Sequence, residues 1–300
     1  MQGSTSSQWG LLDASSRAPQ LDEIQPMKSP RILITGASGW IGRSLFLHLH
    51  KFEPMGVYCN STIASPTDRW VKADLRNEAE VAKILKNYQP DVIFHLAALP
   101  SPRKNREQPL LAEATNVGIT KNLVAQLAND TRIIFLSSDK VFAGGDRATT
   151  EESPADTSIL HGQLKLQCEQ IITAAHAKYH ILRLATVHGF GESPSNSFID
   201  KALRRLVLGE QVYAFQNVSR CYMKIGELLD VLGRLIEDEH YGIYHLGSPL
   251  KTYYDRIRDL CEETGIAWRG NLLATDGDVV PQSQNLNTDK IKRLLNCVFT

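Results

Sequence analysis

Three evenly spaced glycines, Gly36, Gly39 and Gly42, follow a short apolar run and precede an amphipathic stretch. In a strand–turn–helix unit the first glycine permits a tight turn, the second lets a diphosphate approach the backbone, and the third lets the helix pack closely on the sheet. The N–H groups and the dipole at the start of the helix then hold the phosphates. The spacing therefore predicts a nicotinamide dinucleotide site. The residues of the turn assigned to cofactor contact are Gly36, Ser38, Gly39, Trp40, Ile41 and Gly42.

The end of the second predicted strand bears on which dinucleotide binds. NAD(H)-binding proteins carry an acidic side chain there that hydrogen-bonds the adenosine ribose. This segment reads Cys59-Asn60-Ser61 and has no carboxylate; Asn60 is assigned to cofactor contact. Because a carboxylate would repel the 2′-phosphate of NADP(H), its absence favours NADP(H) over NAD(H).

The elements that must position these residues follow from the rhythm of the sequence. Continuous apolar runs are typical of strands buried on both faces, and here they alternate with amphipathic helices. The predicted strands are 31–35, 56–59, 70–73, 91–96, 132–136 and 180–184, and the predicted helices are 41–50, 78–88, 110–127 and 163–176. This pattern predicts an α/β fold with a Rossmann-type doubly wound parallel sheet. Ligands of such sheets lie beyond the carboxyl ends of the strands. The strand ends expected to line the site are Thr35, Leu96, Leu136 and Leu184.

After about residue 189 the rhythm loosens into helices around isolated strands near Val212 and Tyr244. We infer a smaller C-terminal α/β lobe that binds substrate, with the chain crossing between the lobes. The predicted division is a mobile tail at 1–29, a NAD(P)-binding domain at 30–189 and the smaller lobe at 190–300.

Composition excludes several classes of partner. Basic and acidic residues balance at 33 each, so no broad field attracts nucleic acid or an anionic membrane. No apolar run reaches the roughly 18 residues of a membrane span, and the N-terminal segment lacks the apolar core of a secretory signal. The five cysteines show no metal-ligand spacing. We expect a reduced, cytoplasmic protein with no structural metal.

Taken together, the motifs resemble those of the extended short-chain dehydrogenase/reductases, in particular the dTDP-4-dehydrorhamnose reductase branch. The resemblance runs from about residue 31 to about residue 295. The matching pieces are ILITGASGWIG (32–42), ADL (73–75), PDVIFHLAA (90–98), Asn116-Val117, SSDKVFAG (137–144), EESPAD (151–156), HGQLKLQCE (161–169), LRLATVHG (182–189), SRCYMKIGEL (219–228), GIYHLG (242–247) and PQSQNLNTDKI (281–291).

This resemblance implies roles for further residues. The additional cofactor contacts are Asp74 and Leu75 at the adenine, and Leu96, Ala97 and Ala98 at the ribose and diphosphate. Ser138 would hydrogen-bond the sugar oxygen that changes oxidation state, and Lys165 would hold the nicotinamide ribose. Arg220 and Asn196 would bind substrate, Arg220 at its nucleotide diphosphate, which a planar bidentate cation suits. The other interpretation of Arg220 is a salt bridge between the lobes.

One departure from the family pattern concerns the catalytic acid. The family uses the tyrosine of a Tyr-x-x-x-Lys motif, and this chain has His161 at that position, four residues before Lys165. A phenol has a pKa of about 10 and a histidine about 6.5. Cationic neighbours push the histidine pKa lower still. His161 would then accept a proton at neutral pH but donate one poorly, which is the reverse of what carbonyl reduction needs. His161 is therefore either an atypical catalytic group or a non-catalytic replacement.

A second departure is Asp139-Lys140, where rhamnose-type reductases have Asp-Tyr. In related sugar-nucleotide 4,6-dehydratases these two positions hold a catalytic acid and base, and a desolvated lysine can act as a base. The alternative is that Asp139 caps a turn and Lys140 points to solvent.

Three hypotheses follow. The first is an NADP(H)-dependent oxidoreductase that acts on a nucleotide sugar as 4-keto-sugar reductases do, through Ser138, His161 and Lys165. The second is a sugar-nucleotide dehydratase or epimerase that uses Asp139 and Lys140 with a recycled cofactor. The third is a catalytically impaired, NADP-binding regulatory subunit, as the β subunit of methionine adenosyltransferase is within this branch. The sequence does not give the oligomeric state, although folds of this kind often form homodimers through helices placed as 110–127 and 163–176 are.

Overall fold

The computed structural model of the protein describes residues 29–63, 67–189, 195–277 and 283–300. Apart from Ser29, the predicted tail at 1–29 lies outside these ranges. In chain order the strands are β1 (Ile32–Thr35), β2 (Met55–Tyr58), β3 (Trp70–Lys72), β4 (Val92–His95), β5 (Arg132–Ser138), β6 (Gly145–Thr149), β7 (Tyr179–Leu184), β8 (Thr186–His188), β9 (Val212–Phe215), β10 (Ser219–Arg220), β11 (Tyr222–Lys224), β12 (Gly242–Leu246), β13 (Lys251–Thr252), β14 (Leu272–Thr275) and β15 (Gln284–Leu286). The α-helices are α1 (Trp40–His48), α2 (Glu78–Tyr88), α3 (Pro102–Glu107), α4 (Pro109–Glu113), α5 (Ile119–Val124), α6 (Leu160–Ala175), α7 (Phe198–Val207), α8 (Ile225–Arg234), α9 (Tyr253–Thr264) and α10 (Asp289–Leu295). Shorter 3₁₀ turns lie at His50–Phe52 and Asp139–Val141, and a π-helical turn at Ala114–Gly118.

Within the described residues, seven strands form one parallel sheet in the order β12-β7-β5-β4-β1-β2-β3. Strands β1 and β4 are buried along their whole length, as their continuous apolar sequences predict. The chain order reverses between these two strands, which is where a doubly wound sheet opens its ligand crevice. The predicted fold class is confirmed.

Helices cover both faces of this sheet. Successive side chains of a strand point to opposite faces, so Ile32 and Ile34 pack in the cluster that also includes Leu45 of α1 and Val231 of α8. Leu33 packs on the other side, in a cluster shared with α2 and α5. Each face therefore has its own apolar core, and the carboxyl edge of the sheet stays free for a site.

Strands of the second half of the chain share sheets with strands of the first half. Strand β12, predicted as an isolated strand of the smaller lobe, instead pairs with β7 at the edge of the large sheet. The physical reason is burial, because Tyr244 and Leu246 are 3% and 0% exposed and complete the large core. Conversely, β6 pairs with β15, in a four-stranded sheet with β10 and β13. Strands from both sides of residue 189 thus share sheets, while the division into two lobes and the crossing between them stay predictions.

The helix predicted at 110–127 is wrong as a single helix. The chain forms α4, the π-helical turn and then α5. At the π-helical turn the carbonyl of Asn116 accepts hydrogen bonds from the Thr120 hydroxyl (2.8 Å) and the Cys168 thiol (3.4 Å). Side-chain donors therefore bond to the backbone of this turn. The spacing of apolar residues does not predict such bonds. Such π-turns are frequently found at functional sites.

The helix predicted at 163–176 begins earlier than expected. Helix α6 starts at Leu160, so both His161 and Lys165 lie on it. No helix in the described ranges is long and apolar enough to cross a membrane.

Candidate active site

The glycine turn packs directly on the end of β4. Gly36 has a φ of 66°, and a Cβ atom on it would lie 2.8 Å from the backbone of Ala97. A Cβ atom on Gly42 would lie 2.3 Å from the carbonyl oxygen of Gly36. At Gly36 only glycine tolerates both the positive φ and the close approach, and at Gly42 a side chain would collide with the backbone. The two positions explain the tight turn and the close helix packing that the spacing predicts.

The first turn of α1 leaves its N–H groups available to a ligand. Gly39 is exposed and precedes the helix, and among the described residues no side chain caps it. By contrast, Asn77, Ser197 and Thr252 cap α2, α7 and α9 through their side chains. An uncapped helix N-terminus with no acidic residue in its first turn suits a diphosphate.

The hydroxyl of Thr35 ties β1 to the loop after β4. It accepts hydrogen bonds from the backbone N–H groups of Leu96 and Ala97, both at 3.1 Å. It also lies 3.1 Å from Nδ1 of the buried His95. The segment expected beside the cofactor is therefore fixed to the end of the glycine-turn strand, and Ala98 continues it.

His95 has hydrogen-bond partners at both ring nitrogens. Its Nε2 lies 2.9 Å from the Thr120 hydroxyl, which donates its own proton to the Asn116 carbonyl and so accepts from Nε2. Nδ1 then accepts the Thr35 proton. Burial, assisted by the charge of Lys165, lowers the pKa of His95 to about 3. The ring is a neutral structural bridge, and sequence reasoning missed it although a histidine within an apolar strand was a visible signal.

The residues expected near the adenine lie at the ends of β2 and β3. Leu75 is buried, whereas Asn60 is exposed and accepts a hydrogen bond from the Cys59 thiol at 3.4 Å. The Asp74 carboxylate pairs with Arg76 at 2.6 Å, and hydrogen bonding to Arg76 lowers the pKa of Asp74. Beside Asn60, this corner thus holds the Asp74 carboxylate together with the Arg76 guanidinium that neutralises it.

The segment after β5 forms a compact turn. The Ser138 hydroxyl accepts a hydrogen bond from the Lys140 backbone N–H (3.2 Å) and donates one to an Asp139 carboxylate oxygen (3.2 Å). Ser138, rather than Asp139, therefore caps the turn. The Lys140 ammonium lies 3.6 Å from Asp139 and its side chain is only 23% exposed, so it does not point freely to solvent. Burial lowers the pKa of Lys140 despite the carboxylate beside it.

His161 is held next to this turn by the residue that follows it. A Cβ atom on Gly162 would lie 1.8 Å from the Lys140 carbonyl oxygen, so α6 touches the turn backbone to backbone. His161 is 7% exposed, and its Nδ1 lies 3.1 Å from the side-chain amide of Asn105. Burial, followed by the charges of Lys165 and Lys140, lowers the pKa of His161 to about 4. The direction agrees with the sequence-based expectation, although desolvation is the larger cause.

Lys165 lies one turn further along α6, with its ammonium at the end of β5. It donates a hydrogen bond to the Leu136 carbonyl at 2.6 Å and lies 4.5 Å from the centre of the Phe135 ring. Burial lowers its pKa. Its expected contact with a ribose stays a prediction.

Arg220, on β10, brings a further positive charge to the same place. It is half-buried, and its charge helps to lower the pKa of Lys140 and partly offsets the rise that burial causes in the pKa of Tyr253. One of its nitrogens donates a hydrogen bond to the Ser219 carbonyl at 2.9 Å. Asn196 is exposed just before α7. The structure thus brings together the Ser138 hydroxyl, the neutral His161 imidazole and an excess of positive charge. Asn196 is related to this site by its position just before α7.

The sequence matches the profile of the NAD dependent epimerase/dehydratase family over residues 32–247. The chain belongs to this family, as the resemblance to the extended short-chain dehydrogenase/reductases predicted. Among the described residues no group of three or more side chains is arranged to hold a metal ion.

Similar proteins carry different names. The chain is 30% identical to the β subunit of methionine adenosyltransferase 2 of Rattus norvegicus over 180 residues, 60% of this chain and 53% of that protein. It therefore spans about half the length of that curated relative. It is also 30% identical to dTDP-4-dehydrorhamnose reductase of Mycolicibacterium smegmatis over 244 residues, 78% of this chain and 69% of that protein. The crystal structure of dTDP-4-dehydrorhamnose reductase from Bacillus anthracis in complex with NADP matches with a TM-score of 0.77 at 20% identity. That match covers 91% of this chain and 95% of the other.

Proposed function

We propose that this protein is an NADP(H)-dependent oxidoreductase that acts on a nucleotide sugar. The observation that carries the proposal is the gathering of Ser138, His161 and three cationic side chains at the carboxyl edge of the sheet, beside an uncapped glycine turn. The cationic side chains are Lys140, Lys165 and Arg220. Their excess charge suits a ligand with a diphosphate, and the mycobacterial relative is named for a sugar-nucleotide reaction.

Different residues of the site bind the cofactor, bind the substrate and exchange the proton. The N–H groups at the start of α1 and the loop at Leu96–Ala98 hold the dinucleotide, which supplies or takes up a hydride when bound. Ser138 hydrogen-bonds the sugar oxygen at the reacting carbon. His161 exchanges a proton with that oxygen, and Arg220 binds the sugar-nucleotide diphosphate.

The preference for NADP(H) rests on the corner that holds Asn60 and Arg76. Asp74, a carboxylate of the kind that repels a 2′-phosphate, is bound to Arg76. Titration of the purified protein with NADPH and NADH should show tighter binding of NADPH. Equal or tighter binding of NADH would contradict the preference.

Turnover is tested by following the near-ultraviolet absorbance of the nicotinamide with nucleotide sugars in both directions. A 4-keto nucleotide sugar is offered with NADPH, and nucleotide hexoses are offered with NADP⁺. We expect the nicotinamide absorbance to change with the wild-type protein and to stay constant with Lys165→Met. The matched control, Gly226→Ala, lies on the exposed face of α8, where an added Cβ atom meets nothing within 4 Å. Cofactor binding without turnover in either direction would contradict the proposal.

A second candidate function is that of a dinucleotide-binding regulatory subunit. It is favoured by the similarity to methionine adenosyltransferase 2 subunit β and by the loss of the tyrosine at position 161. Mixing the protein with a methionine adenosyltransferase catalytic subunit, with and without NADP⁺, tests it by size-exclusion chromatography. Co-elution would support this function, and separate elution in both conditions would count against it.

The dehydratase or epimerase alternative rests on Asp139 and Lys140. Asp139 is 4% exposed, and its Oδ2 forms an ion pair with the Lys140 ammonium at 3.6 Å. Product analysis with a nucleotide hexose and no added reductant tests this chemistry. Full turnover by Lys140→Ala would exclude it.

A further inference from the structure

The two ring nitrogens of His161 have different surroundings. Nδ1 lies 3.1 Å from the side-chain amide of Asn105, which is fully buried on α3. Nε2 has no hydrogen-bond partner among the described residues, although Lys140 and Lys165 lie close enough for their charges to act on the ring. Which nitrogen carries the proton decides what His161 can do.

The orientation of the Asn105 amide answers this question. One of its two terminal atoms lies 2.9 Å from both the Leu99 and the Ser101 carbonyl oxygens, and the other faces His161. Carbonyl oxygens only accept, so the atom facing them is the NH₂ group. The atom facing His161 is then the amide oxygen, which also only accepts. Nδ1 of His161 must therefore carry the hydrogen.

We propose that Asn105 is a positioning residue that holds His161 as the Nδ1–H tautomer, so that the Nε2 lone pair accepts the proton of a substrate hydroxyl. This inference rests on the proposed function and gives it a direction: the site oxidises an alcohol of a nucleotide sugar with NADP⁺. The hydroxyl proton passes to Nε2 and the carbon–oxygen bond becomes a carbonyl. NADP⁺, held by the glycine turn and the Leu96–Ala98 loop, would take up the hydride from the same carbon. The imidazolium then releases its proton to solvent.

The charges around the ring support this direction. Burial and the neighbouring Lys140 and Lys165 lower the pKa of His161 to about 4, so Nε2 is unprotonated at neutral pH. A carbonyl substrate would need a proton donor at that position. A hydroxyl substrate needs the acceptor that is present.

Asn105 also connects His161 to the loop that follows β4. Its amide binds the Leu99 and Ser101 carbonyls, and the Leu99 N–H donates to the Asn116 side chain at 2.7 Å. The loop expected beside the cofactor is therefore held by two buried asparagines, one of which also orients the histidine.

A measurement on the resting protein tests the tautomer without requiring turnover. The protein is labelled with ¹⁵N-histidine, and the His161 signals are assigned by their loss in His161→Gln. We expect the neutral Nδ1–H form at pH 7 in wild type. In Asn105→Asp the added carboxylate should convert the ring to imidazolium, with both nitrogens protonated. An Nε2–H tautomer in wild type, or an unchanged ring in Asn105→Asp, would overturn the proposal.

Kinetics test the direction. Asn105→Asp should lower kcat for alcohol oxidation by about 10²-fold, because the base is already protonated, and should raise the rate of carbonyl reduction. A merely structural role would lower both rates together. Asn87→Asp, an exposed position on α2, makes the same chemical change away from the site and should alter neither rate. Faster carbonyl reduction than alcohol oxidation by wild type at neutral pH would overturn the assigned direction, whereas no turnover at all contradicts the proposed function and leaves the tautomer to the spectra.

Discussion

His95 and His161 are both buried and both have lowered pKa values, yet they stand in opposite situations. His95 bonds at both nitrogens, to Thr35 and Thr120, and so joins the glycine-turn strand to the helix layer. Within the described residues, His161 bonds through Nδ1 alone, to Asn105. A buried histidine with a perturbed pKa is therefore not by itself a sign of catalysis. His161 differs from His95 in that its Nε2 has no hydrogen-bond partner among the described residues.

The glycines on the two sides of the site show the same contrast. Gly36 and Gly42 bring backbone close to backbone at the turn, leaving helix N–H groups available for a ligand. Gly162 brings α6 against the Lys140 carbonyl and thereby positions a side chain, His161. One region is built to bind through its backbone, and the other to hold side chains near a reacting group.

The largest effect is expected from Gly162→Ala. The new Cβ atom would lie 1.8 Å from a backbone oxygen, so α6 or the Asp139–Val141 turn must move. We expect the free energy of unfolding in urea to fall by about 3 kcal/mol, with loss of turnover. Gly226→Ala is the control and should be neutral or stabilising by about 0.5–1 kcal/mol. Unchanged stability in Gly162→Ala would show that α6 and the Asp139–Val141 turn are not held together by this contact.

His95 should contribute more than His161 to the free energy of unfolding. His95→Ala leaves the buried hydroxyls of Thr35 and Thr120 each short of a partner, so we expect a loss of about 2–3 kcal/mol and weaker NADPH binding. Among the described residues, His161→Ala leaves the Asn105 oxygen unpaired, and this variant should lose about 1 kcal/mol. Urea unfolding and NADPH titration measure both.

His50→Ala, at an exposed position, should stay within about 0.5 kcal/mol of wild type. Equal losses of unfolding free energy in His95→Ala and His161→Ala would show that bonding at both ring nitrogens does not make His95 more important for folding.

The pH dependence of stability gives the next effect. The folded pKa of His161 is about 4, below its ordinary value of about 6.5. Its contribution to stability is therefore complete above about pH 6.5 and is lost as the pH falls towards 4. Between pH 6 and pH 5 wild type should lose about 1 kcal/mol more unfolding free energy than His161→Gln does. Parallel curves for the two proteins would show that His161 titrates normally.

The parts of this molecule that were predictable from sequence are those that depend on local pattern. The buried strands, the helix Glu78–Tyr88 and the glycine turn follow from apolar periodicity and glycine spacing. The placement of β12 in the large sheet and the π-helical turn at Asn116 depend on contacts between segments far apart in the chain. Asn105 belongs to the same class. Nothing around an asparagine in a short polar helix shows that its amide will meet a histidine 56 residues later.

The smallest expected effect separates ligand binding from folding at Arg220. Arg220→Lys keeps the charge but loses the planar, bidentate geometry that suits a diphosphate. We expect the Kd for a nucleoside diphosphate to rise about fivefold, or roughly 1 kcal/mol, with NADPH affinity and unfolding free energy unchanged. Arg205→Lys, at an exposed position on α7, is the matched control. If Arg220→Lys instead destabilises the fold and leaves nucleotide binding intact, Arg220 holds the lobes together. The side chains left to bind the substrate are then those of β5 and α6.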